Sequence, residues 1–243
     1  MTALATLALI LRMQDASLNV AQRNNACYAL RGVASPQVVG NMRAALKDSQ
    51  VQACAGLNLR AANAVPELKD AISDSDYEVR AIAARLLGSF EKPELLPVIA
   101  KAARDPQLIV ATNAVEGLSN YRDRELVMPY LLDLAKDGGI VGAAALNRAL
   151  ELAVDEHDPR TVAVARSLLK HPDVSDKLAA MRVLGRLGNS DDLPALLEII
   201  KNDAGEVAGQ ARGFGFVPAI SLSRAAQTTI SAIQKRAGAS VTP

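Results

Sequence analysis

The sequence carries two histidines, His157 and His171, and two cysteines, Cys27 and Cys54. Imidazoles ligate metals and move protons, and thiols act as nucleophiles or join into disulfides. The histidines flank the segment Asp158-Pro-Arg-Thr-Val-Ala-Val-Ala-Arg-Ser-Leu-Leu-Lys170. Asp158 is a natural N-cap and Pro159 a natural first helical residue. The helix predicted from there to Lys170 is about 20 Å long at about 1.5 Å per residue, which puts the two imidazoles at opposite ends of it. They share no metal within one chain. Glu156-His157-Asp158 is read as loop and cap rather than metal site, and His171 as a group that favours the negative end of the helix dipole.

Cys27 and Cys54 fall at near-equivalent core-facing positions of two successive helices. Stacked helices lie about 8–10 Å apart, whereas a disulfide wants Cα atoms within about 7 Å. The expectation is two reduced, buried thiols, with no histidine near in sequence to activate either as a nucleophile. Arg212-Gly-Phe-Gly-Phe216 is glycine-rich but lacks the strand context and lysine of a phosphate-binding loop. Asp191-Asp192 sits where a helix should begin, so capping explains it. The chain is therefore read as non-enzymatic, with no cofactor and no metal.

The elements that would position these residues are helical. Half of the 243 residues are hydrophobic, aromatics make up 3% and Trp is absent. Ala and Leu dominate, which suits closely packed helices, while sheets want β-branched and aromatic residues. The formal net charge is +1, which argues against a general polyanion binder. No apolar run approaches the roughly 18 residues of a membrane span. The apolar start, Met-Thr-Ala-Leu-Ala-Thr-Leu-Ala-Leu-Ile-Leu, is read as a helix, since no basic segment precedes it and no cleavage site closes it. A cytoplasmic location is expected.

A unit recurs along the chain. Arg80 to Gly88 (Arg-Ala-Ile-Ala-Ala-Arg-Leu-Leu-Gly) has its closest copy at Lys177 to Gly185 and weaker ones at Arg23–Leu30, Gln52–Leu59 and Ala111–Leu118. Small residues stand three or four positions before a Leu, on one helical face, where they admit a neighbouring helix. A second segment follows each first one, carrying Pro near its beginning: Pro66, Pro97, Pro129 and Pro194. Asp48, Asp74, Asp105 and Asp137 close these segments at intervals of about 30 residues, the length of a two-helix repeat.

Asp-x-x-Val-Arg-x-x-Ala-Ala-x-x-Leu-Gly followed by x-Pro-x-Leu and a closing Asp resembles the HEAT-repeat family, in the bacterial form also found in phycobilisome-lyase-type repeats. Asp76 to Leu87 carries the pattern best, Lys177 to Asp203 carries it well, and 138–171 is degenerate. The resemblance implies an all-α, right-handed, armadillo-like solenoid of stacked antiparallel helix pairs, with second helices on the concave side. A single repeat domain is expected over 1–243: a half-repeat or cap at 1–14, about six repeats over 15–203, and a loop with a capping helix at 204–243. It further implies a protein-interaction scaffold, alone or as part of a longer chain. Chromophore-lyase-type and nucleic-acid-binding HEAT proteins are the alternatives, and the near-neutral charge and few aromatics argue against the second.

Counting from the Pro of each second helix, Asp70, Lys101, Asp133 and Glu198 fall four positions on, with Arg166 or Ser167 as the counterpart in the degenerate repeat. They are read as cross-repeat ion pairs or, with Tyr130, as a polar groove. Three positions further lie Lys47, Ser73, Arg104, Lys136, Lys170 and Lys201. These cations offset helix dipoles and also make a basic stripe that could steer an acidic partner. Arg212, Phe214 and Phe216 either plug the last repeat or form a partner-binding knob. Partner contact is thus assigned to Lys101, Arg104, Tyr130, Asp133, Lys136, Lys170, Lys201, Arg212, Phe214 and Phe216.

Overall fold

The structure, a computed structural model, describes residues 1–153, 158–202 and 221–239. Every regular element among them is helical. Local sequence sets most helix starts. The side chains of Thr2, Asn19, Ser35, Asp76, Asp158 and Asp173 each accept a hydrogen bond from a backbone N–H of the first turn, satisfying donors that have no partner inside the helix. The chain divides into two compact units, Met1–Val127 and Met128–Pro243.

The first unit holds α1 (Ala3–Gln14), α2 (Val20–Ala29), α3 (Pro36–Ala45), α4 (Gln52–Ala61), α5 (Val65–Ala71), α6 (Tyr77–Gly88), α7 (Leu96–Ala102) and α8 (Leu108–Ser119). The helices α2, α4, α6 and α8 stack on one another, and α1, α3 and α5 stack beside them. Between the layers Leu30, Met42, Leu59, Leu68, Leu87, Ile99 and Leu118 are buried, each worth about 1.5–3 kcal/mol relative to exposure. The closest approach is α6 to α8. A Cβ at Gly117 would lie 2.5 Å from the Ala84 carbonyl oxygen, and one at Gly88 would overlap the Gly117 carbonyl. The small-residue face read from the sequence is what admits this contact.

Two of the repeats are bolted by an Arg and a closing Asp. Arg80 of α6 donates to both carboxylate oxygens of Asp105, at 2.8 and 3.1 Å, and Arg23 of α2 pairs with Asp48. Each Asp also holds its own turn, Asp48 accepting from the Gln50 N–H and Asp105 from the Gln107 N–H.

The cysteines correct the sequence expectation. Cys27 of α2 and Cys54 of α4 are joined in a disulfide, with Cα atoms 6.3 Å apart. Axial separation was the wrong distance for the argument. Each Cα stands about 2.3 Å off its helix axis, so residues facing each other across two stacked helices come several ångströms closer than the axes do. Buried Asn58 donates from Nδ2 to the carbonyl oxygens of Cys27 and Cys54, both at 3.1 Å.

α9 (Arg124–Lys136) begins before the Met128 start that its proline suggests, so Pro129 lies inside the helix. Asp123 supplies the earlier start, its Oδ1 accepting from the Leu126 N–H. Two other second helices gain a similar lead: 3₁₀ turns at Pro93–Leu95 and Ser190–Asp192 run directly into α7 and α13.

The second unit holds the rest of α9, then α10 (Gly139–Ala153), α11 (Pro159–Leu168), α12 (Val174–Leu187), α13 (Leu193–Asn202) and α14 (Leu222–Ala239). The helices α10, α12 and α14 stack, with α11 packed on α12 and α13 on α14. Arg236 of α14 closes the end of α12 by donating to the carbonyls of Gly185, Leu184 and Gly188, which need partners at a helix C-terminus. Among the described residues no helix is long and apolar enough to cross a membrane.

Candidate partner-binding site

The second helices of the first unit border a groove of about 770 Å³ between the C-terminal part of α5 and the length of α7 with the turn after it. Both helices are short, seven residues each, and each places a proline at its start. Lys69 comes from α5, Lys101 from α7, and Arg104 from the turn after α7. Lys69 and Lys101 are exposed and are in no ion pair among the described residues. The floor is apolar, formed by Ile72, Val98 and Pro106 among others.

One acid lines this groove, Asp105, and it is already engaged. Its hydrogen bonds from Arg80 hold its carboxyl below the ordinary value against the opposing effect of burial, and Asp105 in turn raises the Arg80 guanidinium. The lysines therefore face the groove without a local counter-charge from its lining.

Asp70 does not enter this groove. It pairs with Arg43 of α3 at 3.3 Å, and Asp74 takes the same guanidinium at 2.8 Å and Lys47 at 3.2 Å. Asp74 is held far below the ordinary carboxylate range, first by the Asp76 N–H and then by Arg43. Asp70 thus pairs across repeats with Arg43, which lies outside the column read from the sequence, and not with Lys101.

In the second unit a smaller groove of about 360 Å³ is lined by Arg166, Lys170, Lys177 and Glu198. Arg166 donates from Nε to Asp192 Oδ1 at 2.7 Å and from Nη2 to Oδ2 at 3.3 Å. Asp192 also accepts from the Asn189 N–H at 2.9 Å, so the capping role expected of it is joined by an ion pair. Tyr130 is half-buried, while Asp133, Lys136 and Lys201 are exposed on α9 and α13. Arg212, Phe214, Phe216 and His157 lie outside the described residues.

His171 does more than face a helix end. Its Nδ1 lies 2.5 Å from Oδ2 of Asp176, which is fully buried. The same oxygen accepts from the Gly139 N–H at 3.0 Å. Gly138 and Gly139 both have left-handed backbone, φ 70° and 69°, which glycine adopts at least cost. A Cβ at Gly138 would press on Asp176 and His171, at 2.8 and 2.9 Å.

Residues 65–151 match the family model described as HEAT repeats. This stretch is similar to HEAT repeats. The groove between α5 and α7 lies inside it, as do the Arg80–Asp105 bolt and the close α6–α8 contact. No curated protein matches the sequence. Among solved structures, human deoxyhypusine hydroxylase in complex with glycerol is similar at 16% identity, with 95% of this chain and 96% of that chain covered and a TM-score of 0.41. A designed armadillo repeat protein in complex with the peptide (KR)4 is similar at 16% identity, with 96% and 100% covered and a TM-score of 0.43. The stacked helix pairs of each unit agree with an α-solenoid.

Lys69 escaped the sequence reading. It stands one position before the column that contains Asp70, and only the approach of α7 puts it on the same groove as Lys101. Asp176 escaped for a different reason: its partner Gly139 is 37 residues away.

Proposed function

We propose that the chain is a non-enzymatic protein-interaction scaffold that recognises its partner on the surface of its second helices, the concave side in HEAT geometry. The observation that carries this reading is the groove between α5 and α7, where Lys69, Lys101 and Arg104 stand over an apolar floor and the lining acid is taken by Arg80. Such a surface combines apolar area with polar groups at its edge, as recognition sites do. Lys136, Lys170 and Lys201 extend the basic character along later second helices, and Tyr130 and Asp133 add polar contact on α9.

The Cys27–Cys54 bridge favours an oxidising compartment over the cytoplasmic location expected from sequence, because cytosolic thiols are kept reduced.

The test is affinity capture from lysate of the source organism with the wild-type chain beside a Lys69→Glu/Lys101→Glu variant, followed by a titration with the purified captured protein. The expected result is one protein retained by the wild type and lost by the variant. Equal affinity for both chains would overturn the assignment of this surface.

A further inference from the structure

We infer that the groove between α5 and α7 takes an extended acidic segment of a partner protein, with an apolar side chain set between its acids. The inference rests on the scaffold reading and gives that scaffold's ligand a chemistry.

Charge complementarity is the first argument. Lys69 and Lys101 line the groove from its two helices, in no ion pair among the described residues, and Asp105, the acid beside them, is engaged by two hydrogen bonds from Arg80 at 2.8 and 3.1 Å. A ligand that brings carboxylates supplies the missing counter-charges, whereas a basic ligand meets only like charge. Placement is the second argument. Lys101 and Arg104 are one turn apart and Lys69 stands across the groove on α5. The charges are spread along a trough rather than converged on one point, which suits several carboxylates on an extended chain better than one small anion.

The floor supplies the third argument. Ile72, Val98 and Pro106 line the groove together with the cations, and apolar surface continues along the chain from Pro106 to Leu108 and Ile109, the last two each 50% exposed. A purely acidic ligand would leave this floor unused, while an apolar residue between the acids covers it. No aromatic side chain lines the groove, so the base stacking that single-stranded nucleic acid relies on has no platform. About 770 Å³ falls within the roughly 300–1,000 Å³ that holds a drug-sized ligand, which is room for a few peptide side chains.

The test uses the full chain and fluorescence anisotropy with four labelled probes: an eight-residue peptide of Glu and Asp with one central Leu, the same peptide with Ser for Leu, its Lys-for-acid counterpart, and a single-stranded oligonucleotide eight nucleotides long. The acidic Leu peptide is expected to bind most tightly. Lys69→Glu/Lys101→Glu is expected to weaken it by at least about tenfold, since both lysines would turn from attractive to repulsive. Val98→Ser is expected to weaken the Leu peptide and not the Ser peptide, the coupling that marks a direct contact. Unchanged thermal melting of both variants secures the fold. Binding of the Lys peptide or the oligonucleotide as tightly as the acidic one would overturn the inference, as would an acidic peptide insensitive to the lysine variant, or no binding at all. If the Lys69→Glu/Lys101→Glu variant still loses a captured protein while every acidic peptide fails, the ligand chemistry is wrong and the scaffold reading stands. If capture too is insensitive to the variant, the scaffold reading falls with it.

Discussion

Each unit has a groove on its second helices, and the cations in the two grooves have different occupations. In the first unit Lys69 and Lys101 face a lining whose acid, Asp105, is bound to Arg80. In the second unit the strongest cation, Arg166, is itself bound to Asp192, and Glu198 shares the lining with Lys170 and Lys177. The numbers of basic residues are alike, three and three. What separates the grooves is which charges the fold has already used. A basic stripe read along a sequence counts cations, whereas a ligand meets only those that remain uncompensated.

The units also differ in how their stacks are held, and the largest expected effect tests that. The disulfide belongs to the first unit, across a sequence separation of 27 residues. Closing a loop of that size contributes about 3.5 kcal/mol in the chain-entropy account. Reductant is expected to lower the melting temperature of the first unit and leave the second unchanged, as followed by hydrogen exchange in each. Equal loss in both units would break the contrast.

Next come the glycines. Gly117→Ala forces a Cβ to within 2.5 Å of the Ala84 carbonyl, and overpacking of this kind costs about 1–3 kcal/mol. The gain of about 1 kcal/mol in helix propensity over Gly does not offset a backbone clash. At Gly185 in the second unit the nearest atoms, those of Thr229, are 3.9 Å away, so Gly185→Ala is expected to be neutral or stabilising by up to about 1 kcal/mol. Denaturant melts of the two variants check the pair.

Charge reversal in the grooves comes third. Lys69→Glu/Lys101→Glu is expected to reduce affinity for the acidic Leu peptide by about tenfold, or about 1.4 kcal/mol, while Lys170→Glu/Lys177→Glu changes it by less than about threefold. A larger effect from the second pair would transfer the site to the other unit.

The smallest effect is absent at neutral pH. Asp74 and Asp105 have carboxyls held below their unfolded value of 3.8. Groups with a depressed folded value bind more protons when unfolded, so their contribution is fully present above that value and is lost as pH falls below it. Stability is expected to be level from pH 7 to about pH 5 as far as these groups are concerned, and to decline below about pH 4. Asp105→Asn should flatten the acid limb and leave Arg80 short of its partner. An unchanged acid limb would remove the Arg80–Asp105 bolt from the account of stability.

Much of this architecture was legible because it is local. Capping by Asp158, the closing Asp residues at intervals of about one repeat, and the small face of α6 all follow from helical geometry over one repeat. The disulfide was not, because the relevant distance runs between facing Cα atoms of two helices and depends on how closely α2 and α4 stack. The same holds for His171, whose carboxylate partner also caps a helix that begins 37 residues earlier. In the groove, Lys101 and Arg104 were marked by their column positions, but the apolar floor and Lys69 emerge only when α5 meets α7. Whether a cation is used is a long-range property: Arg166 and Lys101 occupy similar columns, and Asp192 alone distinguishes them.

The most direct measurement is lysine reactivity, read by mass spectrometry after brief acetylation of the full chain, free and saturated with the acidic Leu peptide. Lys69 and Lys101 are expected to lose reactivity by severalfold on binding, while Lys170 and Lys177 in the second unit stay as they were. Protection of Lys170 and Lys177 instead, or equal reactivity of Lys69 and Lys101 in both states, would contradict the claim that the groove between α5 and α7 is the interaction site.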